Sequence, residues 1–466
     1  MSAVERTDLA TVNLVKGTSA DMTMLAEVGG SIVRVKAEDI VPYREEDVSY
    51  GVTFDFEEFL TVGTRIGNMA LHKTLPVQSL MRGCLLNDNG EVVKYLNAKD
   101  WTDDDRSGES GQVMVEIPLH WRKCSTDGTK LSVSLSLYPV PGYQRVPKCY
   151  VSAYQAAMDR TTGKLASVVN MDARYRGGDN TSSYDGTYRT LCGRPASSLS
   201  RTAFRNAARK RKANSIEWNC YLNDIHKTIY WLFVVEYATL NSQKAINATP
   251  TAEGFRQGGL GEGVTNLTYD QWNKYNDVRP FVPCGYTDSL GNGTGEIALT
   301  LDNGSADTPV KVTTKVNRYR GIECPFGHIW HWIDGINVRI SPNADKGGDG
   351  LSKVFVCSDP AKFNDSNYEG YSYIGNEART NGYVKEVIFG EGGEIMPQTV
   401  GGGSTTYFCD NHYTNIPTTE TLRGVLFGGD AADGSYAGFV YANSNNAPSV
   451  TITNIGSRLC FIPAIA

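Results

Sequence analysis

The sequence predicts an α+β fold made mainly of short strands and turns, with two helices near its middle, long irregular loops and a small β-rich segment at its N-terminus. Three observations carry that expectation. Glycine and tyrosine are abundant, with 48 and 25 copies in 466 residues, which marks a turn-rich chain with an aromatic core or surface. Leu131, Val133, Leu135 and Leu137 alternate with serines, the period of a strand with one buried face and one wet face. Two stretches, 200–212 and 223–243, carry helical spacing instead.

Composition narrows the function classes. Hydrophobic residues at 40% and charged residues at 21% suit a globular chain with a sizeable core. The formal net charge of -6 argues against nucleic acid as a partner, because neutralising phosphates takes a clustered basic excess. No run reaches the roughly 18 apolar residues of a membrane span; the most apolar stretch, 229–235, stops at Glu236, so no membrane insertion is expected. The first residues show neither a basic leader with an apolar block nor a lipobox cysteine, and no secretion signal is read there. The 10 cysteines stand singly with no CxxC pair, which speaks against a zinc site of ordinary spacing and against a disulfide scaffold. Reduced, buried thiols are expected.

In chain order, residues 1–62 are polar and poor in aromatics until Tyr43. Ile32, Val33 and Val35 after Gly29 and Gly30 predict one hairpin, too small to be stable alone. This segment is expected to attach or oligomerise the chain. Residues 63–147 read as a hairpin-rich lead-in: 84–86 and 92–96 flank an Asn89-Gly90 turn, Val113, Val115 and Ile117 alternate with their neighbours, and the 131–137 strand follows an Asp127-Gly128 turn.

From 148 to 466 a larger core is expected. Its first helix places Ala203, Phe204, Ala207 and Ala208 on one face and ends on Arg209, Lys210, Arg211 and Lys212, read as a solvated helix end that complements the macrodipole. The second starts near an Asn223 cap and runs to Gln243; its centre, 230–235, is apolar all round, as a core helix must be. About 70 residues without periodicity follow, to be ordered by aromatics such as Tyr269, Trp272 and Tyr275. The glycines of QGGLGEGVTN (Gly259, Gly261, Gly263) have no strand before them or helix after them and do not read as a phosphate loop. In FGHIWHWIDGINV, alternation places Ile329, His331 and Ile333 opposite Trp330 and Trp332, a strand at the centre of the core. The closing strand, 459–462, is expected beside it.

The motifs GHIWHWIDG (327–335) and NIGSRLCF (454–461) resemble the paired core motifs of a C-type-lectin-like fold. They are shared by formylglycine-generating enzymes and by the variable proteins of diversity-generating retroelements. KCYVSAYQAAMDR (148–160) is similar to the early strand of those folds, and residues 116–143 look like a stretch common in phage tail-fibre proteins. The enzyme branch implies two closely placed cysteines near the C-terminus, whereas Cys409 and Cys460 stand 51 positions apart. The variable-protein branch implies Asn-rich diversified positions between fixed small residues. Gly429, Gly434, Ala437, Gly438, Phe439, Ala442, Ala447, Pro448 and Gly456 fit that scaffold rhythm. The resemblance thus implies a phage tail receptor-binding protein carried on the virion, without enzymatic activity. Its expected partners are a bacterial surface glycan or protein receptor and, through the N-terminal segment, other tail proteins; a homotrimer is the expected assembly. Formylglycine-generating-type oxidase and structural tail component are the alternatives.

The stretch 423–463 alternates Asp, Ser, Asn and Tyr with Ala and Gly, a composition suited to recognition. The ligand-binding residues expected there are Asp430, Asp433, Ser435, Tyr436, Tyr441, Asn443, Asn445, Asn446, Val450 and Ile452. No catalytic set is expected. Cys409 and His412 lack a third group to orient the imidazole, and His328 and His331, three apart on a strand, point to opposite faces. No cofactor or metal is called for; a calcium ion on Asp345 and Asp349 is the alternative, though Lys346 lies between them.

Overall fold

The structure is a computed structural model that describes residues 23–28, 31–36, 43–57, 61–178, 192–262, 281–302, 307 and 311–464. Tyr269, Trp272 and Tyr275 lie outside the described residues. Strands dominate, with the two expected helices among them. At the N-terminus Thr23–Val28 pairs antiparallel with Ser31–Lys36, the hairpin anticipated around Gly29 and Gly30. The next strand, Ser49–Asp55, lies between Thr64–Gly67 and Lys130–Ser136 in a five-stranded sheet. Its Tyr50, Val52 and Phe54 belong to the main core, so this strand is part of the body and not of a separate leading segment ending at residue 62.

The 131–137 alternation holds, but the serine face is drier than expected. Lys130–Ser136 has a neighbour on each edge, and Ser134 and Ser136 are buried. A six-stranded sheet contains the hairpin Arg82–Leu86 with Val92–Tyr95, and in it Gln112–Ile117 pairs with Cys149–Ser152. The closing strand Leu459–Phe461 also lies here, between Cys149–Ser152 and Trp218–Cys220. It is therefore not the neighbour of the Trp330–Ile340 strand. That place is taken by Ile455–Gly456, which runs parallel to Trp330 and His331. Arg458 fixes the switch between sheets: its buried guanidinium donates to the carbonyls of Ser152, Glu323 and Cys324.

The largest sheet has Trp330–Ile340 near its centre, flanked by Ser352–Val356 and Thr421–Gly428, and continues through Gly438–Asn443, Asn411–Tyr413 and Gly382–Val387. The central strand is buried almost throughout, as its alternation predicted. It contains a bulge: pairing with Thr421–Gly428 jumps from Ile333 to Asn337, and Gly335 takes a φ of 80° that a side chain would strain. The bulge frees backbone carbonyls, and Arg201 answers them by donating to Ile333 O and Ile336 O at 3.2 and 2.7 Å.

Arg201–Arg209 is the first long helix, capped by Ser200 Oγ accepting from Ala203 N. The basic run that follows it is not a solvated end. Arg211 is buried and bonded to Asp88 and to Leu165 O, Arg209 reaches Pro360 O, and Lys212 pairs with Glu217. The second long helix, Asn223–Tyr237, is buried except at Asp224 and Tyr237, the core element expected. Its N-cap is Leu222, one residue before the expected Asn223. It also stops six residues before Gln243, because Ala238 adopts a left-handed φ of 52° and returns its N–H to Val234 O. Trp231 Nε1 donates to Gly393 O, and His226 Nε2 lies 2.7 Å from Phe439 O. Through these bonds the helix backs the largest sheet. All ten cysteines are free and buried.

Candidate functional site

The C-terminal stretch forms two neighbouring strands of the largest sheet, Thr421–Gly428 and Gly438–Asn443, and the loops around them. Pairing sorts their side chains onto two faces. Phe427, Ala442, His412 and Gly382 share the row that faces the core helix, where His226 packs on Phe427 at 4.6 Å. Leu426, Asn443, Tyr413, Asn411 and Tyr383 lie on the other face, which is buried in a second apolar core at Leu426 and becomes the outer face at Tyr413 and Tyr383.

That outer face separates the expected binding residues into a frame and a free set. Tyr441 is 5% exposed; its ring packs on Trp330 with centroids 4.6 Å apart, so it is a wall of the frame and not a presented side chain. Asp430 is also buried, accepting from Ala432 N at 2.8 Å and from Asn454 Nδ2 at 2.5 Å. Asp433 accepts from Asp430 N at 2.7 Å and from the Tyr441 hydroxyl at 3.3 Å. Burial raises both carboxyls, and the charge of Asp430 raises Asp433 further. Asn443 is buried with Oδ1 accepting from Asn445 N. These four residues shape loops, because their polar atoms are spent on neighbouring backbone and side chains.

The free set is smaller. Ser435 and Tyr436 are exposed on a short 3₁₀ turn, Gly434–Tyr436, and Ile452 is exposed in the last loop. Asn445, Asn446 and Val450 are half-buried, and Gly424 N donates to Asn446 O, stitching the 444–454 loop to the sheet. Tyr436 is 45% exposed and meets Tyr383 edge to face, at 5.3 Å and 74°, while the Tyr383 hydroxyl lies 3.0 Å from Ser435 Oγ. Tyr413, 41% exposed, stands on the same face.

Tyr383, Asn411 and Tyr413 share this face and are not among the residues that the sequence singles out. Asn411 and Tyr413 alternate with His412, and that period-two signal places them together on a strand face. Nothing local in the sequence places Tyr383 under Tyr436, since that contact joins residues 53 positions apart in the chain.

Two small residues let the frame close. A Cβ at Gly438 would stand 2.0 Å from Asp410 Oδ1, and one at Gly429, whose φ is 84°, would crowd Ala437 and Tyr441. Asp410 itself is buried and accepts from Val440 N at 2.8 Å; burial raises its carboxyl well above the usual range.

The groups weighed for catalysis sit in packed surroundings. Burial and the nearby Asp410 push the Cys409 thiol up to about 12, and burial raises Cys460 as well, which leaves neither as a thiolate near neutral pH. His412 Nε2 lies 3.0 Å from Ala378 O, and His328 and His331 are buried. Of the cation alternative, Asp349 is engaged by Arg339 at 2.8 Å and Lys353 at 3.2 Å, and Asp345 lies on the exposed turn Ala344–Lys346. Among the described residues no group of three His, Cys, Asp or Glu is placed to hold a metal, and no helix is long and apolar enough to cross a membrane.

No protein-family model matches the chain, and no curated protein sequence does. Comparison of three-dimensional structures finds similarity to both groups that the sequence motifs resemble. PvdO from Pseudomonas aeruginosa is 12% identical, with a TM-score of 0.32 over 76% of this chain and 96% of that one. The U1 variant of the Major Tropism Determinant is 11% identical, with a TM-score of 0.21 over 93% of this chain and 90% of that one. For its I1 variant the identity is 11% and the TM-score 0.21, over 92% and 88%.

Proposed function

We propose that this chain is a phage tail receptor-binding protein, an adhesin that displays the outer face of its C-terminal strands to a bacterial surface glycan or protein. One observation carries the reading. Tyr413 stands exposed on a strand of the sheet that the core helix backs, and Tyr436 stands exposed on the adjoining turn Gly434–Tyr436, braced by Tyr383 and Ser435. Aromatic anchors fixed before binding lose little entropy on contact, and such residues dominate interface energies. The neighbouring loops, 430–436 and 444–454, carry Ser435, Asn445 and Asn446, which supply adaptable hydrogen bonds.

In this reading the diversified positions are Ser435, Tyr436, Asn445, Asn446, Val450 and Ile452, extended by Tyr383 and Tyr413. Asp430, Asp433, Tyr441 and Asn443 hold the loops. The N-terminal segment joins the chain to other tail proteins on the virion, and a homotrimer gives one weak site useful avidity. No catalysis is assigned, in keeping with the raised thiols of Cys409 and Cys460. The reading is tested by the adsorption to host cells of particles carrying Tyr436→Ala and Tyr413→Ala.

A further inference from the structure

Away from that face, the 87–91 turn, the 108–112 loop and the hairpin Ala157–Asp159 with Lys164–Ala166 border an open pocket of about 360 Å³. That volume falls near the lower end of the roughly 300–1,000 Å³ usual for small-ligand sites. Its charged lining is Asp88, Glu109, Asp159, Lys164, Arg174 and Arg211, three carboxylates against three cations. The charges are matched in place: Asp88 takes Lys164 at 2.7 Å on one oxygen and Arg211 at 2.5 Å on the other, and Arg174 stands 3.8 Å from Glu109.

The lining is also held still. Arg211 is buried and donates Nε to Leu165 O at 2.6 Å, Asp159 Oδ1 accepts from Thr161 N and Thr162 N, and Gln112 is oriented by Ser167 N. Arg174 Nε is buried without an acceptor among the described residues. An anion entering here would meet Asp88, Glu109 and Asp159, and a cation would meet the arginines and Lys164. A neutral molecule with several hydroxyl groups matches interleaved donors and acceptors of both signs, and polar walls offer nothing to an apolar ligand.

We propose that this pocket is a second binding site, for a neutral sugar residue held through its hydroxyl groups. It shares no residue with the outer face of the C-terminal strands, and it stands or falls independently of the receptor reading.

The test uses the full chain in saturation-transfer NMR with methyl β-galactoside, methyl α-glucoside and N-acetylglucosamine, and in a pull-down with the same sugars on beads. Thr162→Trp and Glu109→Trp, each at an exposed position of the rim, fill the pocket from two different loops. The expected result is transfer to at least one neutral sugar, reduced at least tenfold in whichever of these variants keeps the melting temperature, and unchanged in Tyr436→Ala. Retention on beads as well identifies a glycan's terminal unit, and transfer in solution alone identifies a free sugar; both support the proposal. It is overturned by no transfer to any of the three sugars, by transfer that survives a folded filling variant, or by glucuronic acid or glucosamine competing as well as the neutral sugars.

Discussion

The ring of Tyr441 lies against Trp330 with centroids 4.6 Å apart, and its hydroxyl reaches Asp433 at 3.3 Å. A residue expected to meet a receptor is thereby a wall of the fold. Tyr441→Ala should cost about 3–5 kcal/mol, the range for truncating a large buried aromatic, whereas Tyr441→Phe should cost about 1 kcal/mol for the lost hydrogen bond. Urea unfolding of both variants checks this, and equal small losses would return Tyr441 to the surface.

Tyr436 and Tyr413 should behave in the opposite way. Both are more than a third exposed, so alanine at either position should change stability by less than about 1 kcal/mol, the usual scale for surface substitutions. Thermal unfolding of the double variant measures it.

The bulge network makes a third expectation. Arg205 grips buried Asp334 through two bonds of 2.5 and 3.0 Å, and Asp365 bridges Arg201 and Arg205 at 2.7 Å each. Arg205→Met alone leaves Asp334 without its bidentate partner and should cost about 3–5 kcal/mol. The double variant Arg205→Met with Asp334→Asn should recover part of that loss, which a double-mutant cycle in urea reads directly.

Glu377 sets a pH dependence. It is buried, with the hydroxyls of Ser444 and Thr414 at 2.8 and 3.2 Å from Oε1, and burial raises its carboxyl to about 8 from an ordinary value of 4.5. Between those values the unfolded chain has released the proton and the folded chain still holds it. The unfolded state then binds fewer protons, so stability falls as pH rises through this window and levels off above about 8. Glu377→Gln should flatten the fall and raise the melting temperature at neutral pH. A scan of melting temperature against pH in both proteins decides it; parallel curves would assign the slope to other groups.

What the sequence made legible was short-range. The strand at Trp330, the Asn89-Gly90 and Asp127-Gly128 turns and the all-apolar centre of the core helix follow from periodicity and turn chemistry. Glycine and alanine at 429, 437, 438 and 442 read as scaffold and are buried or tightly packed. What stayed hidden was decided by partners far along the chain. Arg211 reads as solvated until Asp88 is brought beside it, Ala238 ends a helix whose pattern continues, and Leu459–Phe461 joins a different sheet from the strand that its motif accompanies. Within the C-terminal stretch, composition does not separate presented side chains from packed ones. Asp430, Tyr441 and Asn443 carry the residue types of a recognition surface and spend them on their own loops, while Tyr383 and Tyr413 come from outside the stretch.

Adsorption to host cells tests the central claim most directly. Particles carrying Tyr436→Ala with Tyr413→Ala should lose at least tenfold in adsorption rate while the purified chain keeps its melting temperature. Adsorption at the rate of unaltered particles, from a chain equally well folded, would contradict the assignment of this face to receptor binding.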